Sequence, residues 1–404
     1  MKWIPVLQWL VFPFALAVAH SMPDDVIDGT TGAPLGGIGS GAIKFCASSG
    51  TFAASWRTPC ALDNFPALQN TQFQFFSKRG QDAAITKDKL SAVVTNGRAG
   101  DDAVYPLQKA NFGAINDVAV TLTACSPFDV KNVEVMCYPY AFFQLLVTNT
   151  AATTVDVAIA LQAGLSAATT YVTGKGIKND DGALKRAVYA SSDDPAAVIT
   201  AGNDNGFLTN GQCDNAVSGA VNRVSVKVTL AADQSKRIKF VYAWVNTITG
   251  DEGMHDGMFY YLNKFANAGD AADTGLAHFD QFQSNAAEIV TRMRASNFPG
   301  WIKNQALVTL ANLTNNSMYR KDGRYAHTEG MWATNGTMDQ MFHARQIYAD
   351  LVPSLNWQEL HYWARTQKTN PAGQIHHDID SCTDIENYAA SRNMAYMCPW
   401  DAQQ

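Results

Sequence analysis

The residues most able to do chemistry lie in the last third of the chain. The segment His327-Thr328-Glu329-Gly330-Met331-Trp332 is followed closely by Asn335-Gly336-Thr337-Met338-Asp339-Gln340. It gathers carboxylates, amides and aromatic rings, the groups that grip and stack on sugars. Glycoside cleavage needs a carboxylate nucleophile or base and a second carboxyl group acting as acid across the bond. By spacing alone, the plainer reading of the segment is a surface loop with a helix cap at Asn335 or Thr337. Further on, Gly373-Gln374-Ile375-His376-His377-Asp378 carries a His-Asp adjacency that could hold sugar hydroxyls or a metal, or could be an exposed polar loop. Near the start, Pro34-Leu35-Gly36-Gly37-Ile38-Gly39-Ser40-Gly41 lets the backbone turn sharply or approach a ligand. It is a poor dinucleotide fingerprint, because Ala42 stands where a third glycine would be and no helical pattern follows. Nor is it a P-loop or a nucleophile elbow, and its plain reading is a turn-rich strand opening.

These segments need elements to position them, and the hydrophobic period divides the chain into two kinds. From about Asp24 to about Asn246 the period is two. Val118, Val120 and Leu122 form one face, and Val155, Val157, Ile159 and Leu161 another. Val224, Val226, Val228 and Leu230, then Ile238, Phe240, Tyr242 and Trp244, read as a hairpin with one buried face. Many short strands with polar breaks predict an antiparallel β-sandwich over about 24–250. Near Met254 the period lengthens. Tyr260, Tyr261 and Phe265 fit one helix face, and Ala286, Ile289, Val290 and Met293 another. Asn297-Phe298-Pro299-Gly300 breaks the pattern before a helical run from Trp301 to Leu313. Met341–Asp350 and Trp357–Gln367 predict two more helices, parted by Pro353.

Composition narrows the partners. Of 404 residues, 47% are hydrophobic and only 16% charged, which excludes a disordered chain or a coiled coil. The net charge is −6 and no Lys/Arg run exceeds two residues, so neither nucleic acid nor an anionic membrane surface is an expected partner. Lys2, the apolar run Val6–Ala17 and Ala17-Val18-Ala19 make residues 1–19 a secretory signal peptide. Pro13 interrupts that run and no other stretch is long enough to span a membrane. A secreted or extracytoplasmic location follows. Seven cysteines, an odd number, leave at least one without an intrachain partner. Sequence does not fix the pairing; Cys46–Cys60, Cys125–Cys137 and Cys382–Cys398 are the local possibilities. No CxxC or HExxH occurs, which argues against a zinc site, and no cofactor is expected.

Taken in order, these pieces resemble glycoside hydrolase family 116, the non-lysosomal glucosylceramidase and bile-acid β-glucosidase family. The likeness rests on Gly32-Ala-Pro-Leu-Gly-Gly-Ile-Gly-Ser-Gly-Ala-Ile43, Tyr105-Pro106, Ser126-Pro127-Phe128 and Val147-Thr148-Asn149-Thr150. It continues through Phe298-Pro299-Gly300-Trp301-Ile302-Lys303, the Glu-Gly pair at Glu329 and the His377-Asp378 pair. The resemblance implies a β-sandwich followed by an (α/α)6 toroid and a retaining mechanism through a covalent glycosyl-enzyme. Glu329 resembles the family's nucleophile. Asp339 resembles the aspartate downstream of it, at a slightly shorter interval than the family's. His377 and Asp378 resemble the pair that holds the sugar's hydroxyls. A β-glucoside or glycolipid is the implied substrate.

The family's acid/base aspartate lies in an Asn-Gly-Gly-x-x-Asp-Gln-like motif that this sequence does not contain. A twelve-helix toroid needs roughly 300 residues, whereas about 135 follow Asp270. The expectation is therefore β then α: a sandwich, then an incomplete toroid over 251–380, truncated before the proton donor and poorly active, with an aberrant or disordered 381–404. The alternatives are a secreted, non-catalytic carbohydrate-binding or structural sandwich, and a different (α/α)6 enzyme, either an inverting hydrolase or a phosphorylase. Sequence does not set the oligomeric state.

Overall fold

A computed structural model describes residues 32–57, 65–95, 98–99, 101–247, 259–327, 346 and 348–366. It is sheet-rich first and helical after. An eight-stranded antiparallel sheet runs, edge to edge, through Thr170–Val172, Gly176–Asn179, Leu184–Ser192, Ser235–Asn246, Tyr140–Asn149, Val118–Cys125, Leu107–Ile115 and Asp101–Val104. A five-stranded sheet runs through Val198–Gly202, Val221–Leu230, Val155–Gly164, Gln72–Lys78 and Ile85–Lys87. A smaller sheet joins Ala42–Cys46, Thr51–Ser55 and Ala67–Leu68.

The alternating faces read from the sequence meet in one core. Val118, Val120 and Leu122, Val157, Ile159 and Leu161, Val224, Val226 and Val228, and Ile238, Phe240 and Trp244 all belong to it. Phe45, Phe52, Phe73 and Phe143 fill its middle with edge-on and tilted ring contacts, Phe45 to Phe52 at 5.0 Å and Phe52 to Phe143 at 5.5 Å. One expectation is corrected. Val221–Leu230 and Ser235–Asn246 do not pair as a hairpin; the first lies in the five-stranded sheet and the second in the eight-stranded one. Both strands turn apolar faces inward, so the short connection crosses between the two sheets and the faces meet across the core.

The eight-stranded sheet is also covered on its other side. Helix α1, Ala268–Ala295, packs there. Asn267 caps its start, the side-chain oxygen accepting from the Asp270 N–H at 2.9 Å. Small residues at the helix start and at Gly275 let it approach closely; a Cβ on Gly275 would lie 2.8 Å from Val241 Cγ1. Phe279 then meets Phe142 edge-on at 4.9 Å. Ion pairs flank this apolar seam: Asp280 with Lys239 at 2.7 Å, and Asp102 with Arg294. Burial on both sides explains why Ile238–Asn246 is buried at every position rather than at alternate ones.

Among the helices that follow are α2 over Gly300–Thr309 and α3 over Pro353–Thr366. Pro353 opens α3 rather than merely separating helices, its missing N–H being no loss in a first turn. Between the run ending at Leu313 and the Glu329 segment the sequence predicts a loop, and the structure instead has a two-stranded hairpin, Ser317–Tyr319 with Tyr325–His327. Large apolar side chains are exposed here: Phe298 just before α2, Trp301 and Val308 on it, and Trp357 on α3. Among the described residues no helix is long and apolar enough to cross a membrane.

Of the local cysteine pairings, Cys125–Cys137 is not made; both thiols are free and buried. Cys137 instead points back along its own turn, donating to the Val133 carbonyl at 3.1 Å. Burial pushes both thiols well above their ordinary range. Cys60, Cys382, Cys398 and the leader over 1–19 lie outside the described residues.

Candidate active site

The glycine-rich opening is a junction within the chain, not a ligand cradle. Leu35 and Ile43 exchange both backbone hydrogen bonds at 2.8 Å, closing the segment into a tight loop. Inside it, Ser40 Oγ accepts from the Gly37 N–H at 2.8 Å. The loop's outward groups are taken by distant parts of the chain. Ile38 N–H donates to the Met136 carbonyl at 2.7 Å, and the Trp244 indole N–H donates to the Ser40 carbonyl at 2.6 Å. Thr314 Oγ1 donates to the Gly36 carbonyl at 3.2 Å. A Cβ on Gly37 would lie 2.6 Å from the Tyr138 carbonyl oxygen. Gly39 has φ +62° and its missing Cβ would lie 2.5 Å from the Tyr319 nitrogen. The close backbone approach that the glycines permit is therefore to the turn at Met136–Tyr138 on one side and to the hairpin on the other.

That hairpin delivers the chain to the carboxylate segment. Its second strand, Tyr325–His327, is buried at every residue. Rings lead toward it in a row. Tyr260 stacks on Tyr319 at 4.1 Å, Tyr319 meets Tyr325 at 5.9 Å, and His327 lies edge-on to Tyr348 at 4.7 Å. Ser317 Oγ lies 3.1 Å from the Tyr325 hydroxyl, and burial pushes the Tyr325 and Tyr348 phenols well up.

A carboxylate closes this cluster. Glu359 on α3 is 1% exposed, and its Oε1 accepts the His327 backbone N–H at 3.0 Å. Leu355, Glu359 and Trp363 form one buried stripe at helical spacing, with Glu359 the single acidic residue in it. His327 Nδ1 and the Oδ1 of Asn356, one turn before Glu359, are buried and find no hydrogen-bond partner among the described residues. Buried polar atoms are ordinarily hydrogen-bonded. Burial also holds His327 at about 4, so its imidazole is neutral at neutral pH.

Of the residues singled out from the sequence, Glu329, Asp339, His377 and Asp378 lie outside the described residues. Glu329 follows His327 by two positions. What sequence reasoning missed is Glu359. Its signal was an acidic residue at a core position of an otherwise apolar helix stripe. Among the described residues no group of three or more His, Cys, Asp and Glu side chains is placed to hold a metal ion.

A domain of two antiparallel sheets, joined through a glycine-rich loop to a helical region that carries carboxylates, is the class this arrangement defines. Residues 32–186 match the family model described as beta-glucosidase 2, glycosyl-hydrolase family 116 N-term. Over those residues the chain is thus similar to the N-terminal domain of glycosyl-hydrolase family 116. No curated protein matches the chain. Among solved structures it is similar to a protein described as a kojibiose phosphorylase from the human microbiome, at 8% identity and TM-score 0.38 over 77% of this chain. It is similar also to a family GH92 α-mannosidase from Bacteroides thetaiotaomicron, at 9% identity and TM-score 0.36 over 90% of this chain, and to heparinase III, at 13% identity and TM-score 0.26 over 42%. The chain spans 41%, 52% and 23% of those three chains respectively.

Proposed function

We propose that this chain acts on β-glucosides or glucosylated lipids as a retaining glycoside hydrolase, with Glu329 as nucleophile. The observation that carries the reading is the junction of two features: the family 116 N-terminal domain, and the buried strand Tyr325–His327 that leads into the Glu329 segment. In this mechanism an ionised Glu329 carboxylate attacks the anomeric carbon while the bond to the leaving oxygen breaks. Water then cleaves the glycosyl-enzyme ester. Asp339, His377 and Asp378 hold the sugar's hydroxyls.

The two stacked sheets serve as the family's β-sandwich over about 24–250, and the helices that follow as part of an (α/α)6 toroid over about 251–380. The outward apolar residues on and beside α2 and α3 fit helices of such a ring, where each is covered on more than one side. Export by the 1–19 leader belongs to the same proposal.

A substrate with a good leaving group needs no acid, so an aryl β-glucoside of that kind is the test. Azide added to Glu329→Ala should give the α-glucosyl azide, the product of attack on the face the nucleophile has left. Recovery of only the β-anomer, or the same hydrolysis in wild type and Glu329→Ala, would reject the assignment.

A further inference from the structure

We propose that a cleft on the outer face of the five-stranded sheet binds an acidic saccharide, a sugar that carries a carboxylate. This cleft is independent of the Glu329 assignment. Helix α1 covers the outer face of the eight-stranded sheet, so both sheets lie between it and the cleft.

Strand register builds the floor. Lys78 lies opposite Asp156, and Ala158, two residues on, lies opposite Phe76 on one side and Lys227 on the other. Side chains two positions apart share a face, so Lys78, Asp156 and Lys227 all point away from the inter-sheet core. Part of that face is roofed. Phe207, on the short helix Gly206–Asn210, meets Phe76 at 6.4 Å between ring centroids, and a Cβ on Gly211 would lie 2.8 Å from the Phe76 ring. Thr209 and Asn210 stand at the edge of the roof as one wall, and the turn that follows Lys78 makes another. The space enclosed is about 710 Å³, the size of a small-ligand site.

Charge decides the class of ligand. Asp156 is already engaged: its Oδ2 lies 3.0 Å from Lys227 Nζ, and its Oδ1 accepts from Thr229 Oγ1 at 2.7 Å. Lys78, its cross-strand neighbour, has no carboxylate partner among the described residues. Arg79, also lining the cleft, is held by neutral acceptors. Its Nη1 donates to the Thr153 carbonyl at 2.8 Å, and its Nη2 to the Asn116 carbonyl at 3.0 Å and to Asn149 Oδ1 at 2.9 Å. Two positive charges are thus left uncompensated, and of the lining carboxylates only Asp82, at the exposed rim, remains to oppose them. An anion is the ligand such a cleft attracts, in a chain whose net charge is −6. Beside the cations stand Gln81, Thr154 and Asn210, neutral groups that both donate and accept. Sugar hydroxyls use both capacities, whereas a bare inorganic anion uses only donors.

The test is isothermal titration calorimetry of the whole chain with two ligands: cellotriose, and its oxidised counterpart in which carboxylates replace the hydroxymethyl groups. Wild type should bind the carboxylate trimer, and cellotriose at least about tenfold more weakly. Binding of the trimer should weaken as NaCl is raised from about 50 to about 500 mM. Lys78→Met should lower its affinity at least about fivefold, and Lys78→Arg should stay within about threefold of wild type. Asn210→Ala, on the wall, should lower it at least about twofold, and it decides the matter if Lys78→Met does not fold. Glu329→Gln should bind the trimer as wild type does. Absence of trimer binding, equal affinity in folded Lys78→Met and wild type, or cellotriose bound as tightly as the trimer would overturn the proposal. So would a trimer site lost in Glu329→Gln. Displacement of the trimer by inorganic sulfate with no effect of Asn210→Ala would mark a site for simple anions and reject the saccharide.

Discussion

Gly39 and Tyr319, 280 positions apart, are in backbone contact: a Cβ on Gly39 would lie 2.5 Å from the Tyr319 nitrogen and 2.7 Å from its Cβ. The sheet region and the hairpin before Glu329 thus meet at a place with room for hydrogen only. Gly39 also has φ +62°, which an alanine adopts at a cost of about 1 kcal/mol before any clash. Gly39→Ala should therefore destabilise by several kcal/mol and displace the hairpin. Thermal melting checks the first, and slower labelling per folded molecule by a 2-deoxy-2-fluoro β-glucoside with a dinitrophenyl leaving group checks the second. Gly80, with φ +49° and open space around its missing Cβ, is the control, and Gly80→Ala should cost only about 1 kcal/mol.

Trp244 ties the inter-sheet core to the same loop through its indole N–H and the Ser40 carbonyl. Trp244→Phe keeps a ring in the core and leaves that carbonyl without its donor. A loss of about 1–3 kcal/mol in urea unfolding is expected. A change below about 0.5 kcal/mol would show that the bond contributes little.

Phe279 and Phe142 form the edge-on contact at the centre of the helix–sheet seam. Phe279→Ala should cost about 3–5 kcal/mol, as for a fully buried aromatic. Because the seam is one continuous apolar cluster from Ile38 to Leu355, a single cooperative transition at lower temperature is expected. Two separated transitions in calorimetry would show that the helices and sheets unfold independently.

His327 makes stability depend on pH. Its imidazole is held at about 4 in the fold against 6.5 when exposed, by burial. Its folded value is depressed, so its contribution is fully present above pH 6.5 and is lost as pH falls from 6.5 through 4. The full span is worth about 3 kcal/mol. Wild type should thus lose stability between pH 7 and pH 5 by denaturant unfolding, and His327→Gln should lose markedly less. Parallel curves for the two proteins would contradict it.

What was legible in the sequence follows from period and range. The faces at Val118–Leu122, Val155–Leu161, Val224–Leu230 and Ile238–Trp244 were readable because at least one face of each strand had to be apolar. Which strands pair was not: the same inward alternation serves a hairpin or two facing sheets, and only the tertiary fold decides. The three-residue strands Ser317–Tyr319 and Tyr325–His327 are too short to display a period. The glycine-rich loop was visible as backbone freedom, but its partners Met136, Trp244, Thr314 and Tyr319 lie about 100 to 280 positions away. Glu359 was hidden because a glutamate in a helix ordinarily faces water.

Formation of a covalent bond between Glu329 and the sugar is the central step of the proposed reaction. The direct measurement is peptide mapping of the full chain after incubation with the 2-deoxy-2-fluoro β-glucoside. One fluoroglucosyl group per chain, ester-linked at Glu329 and absent from Glu329→Gln, is the predicted result. An unlabelled wild-type chain with intact fold, or a label on any other residue, would contradict it.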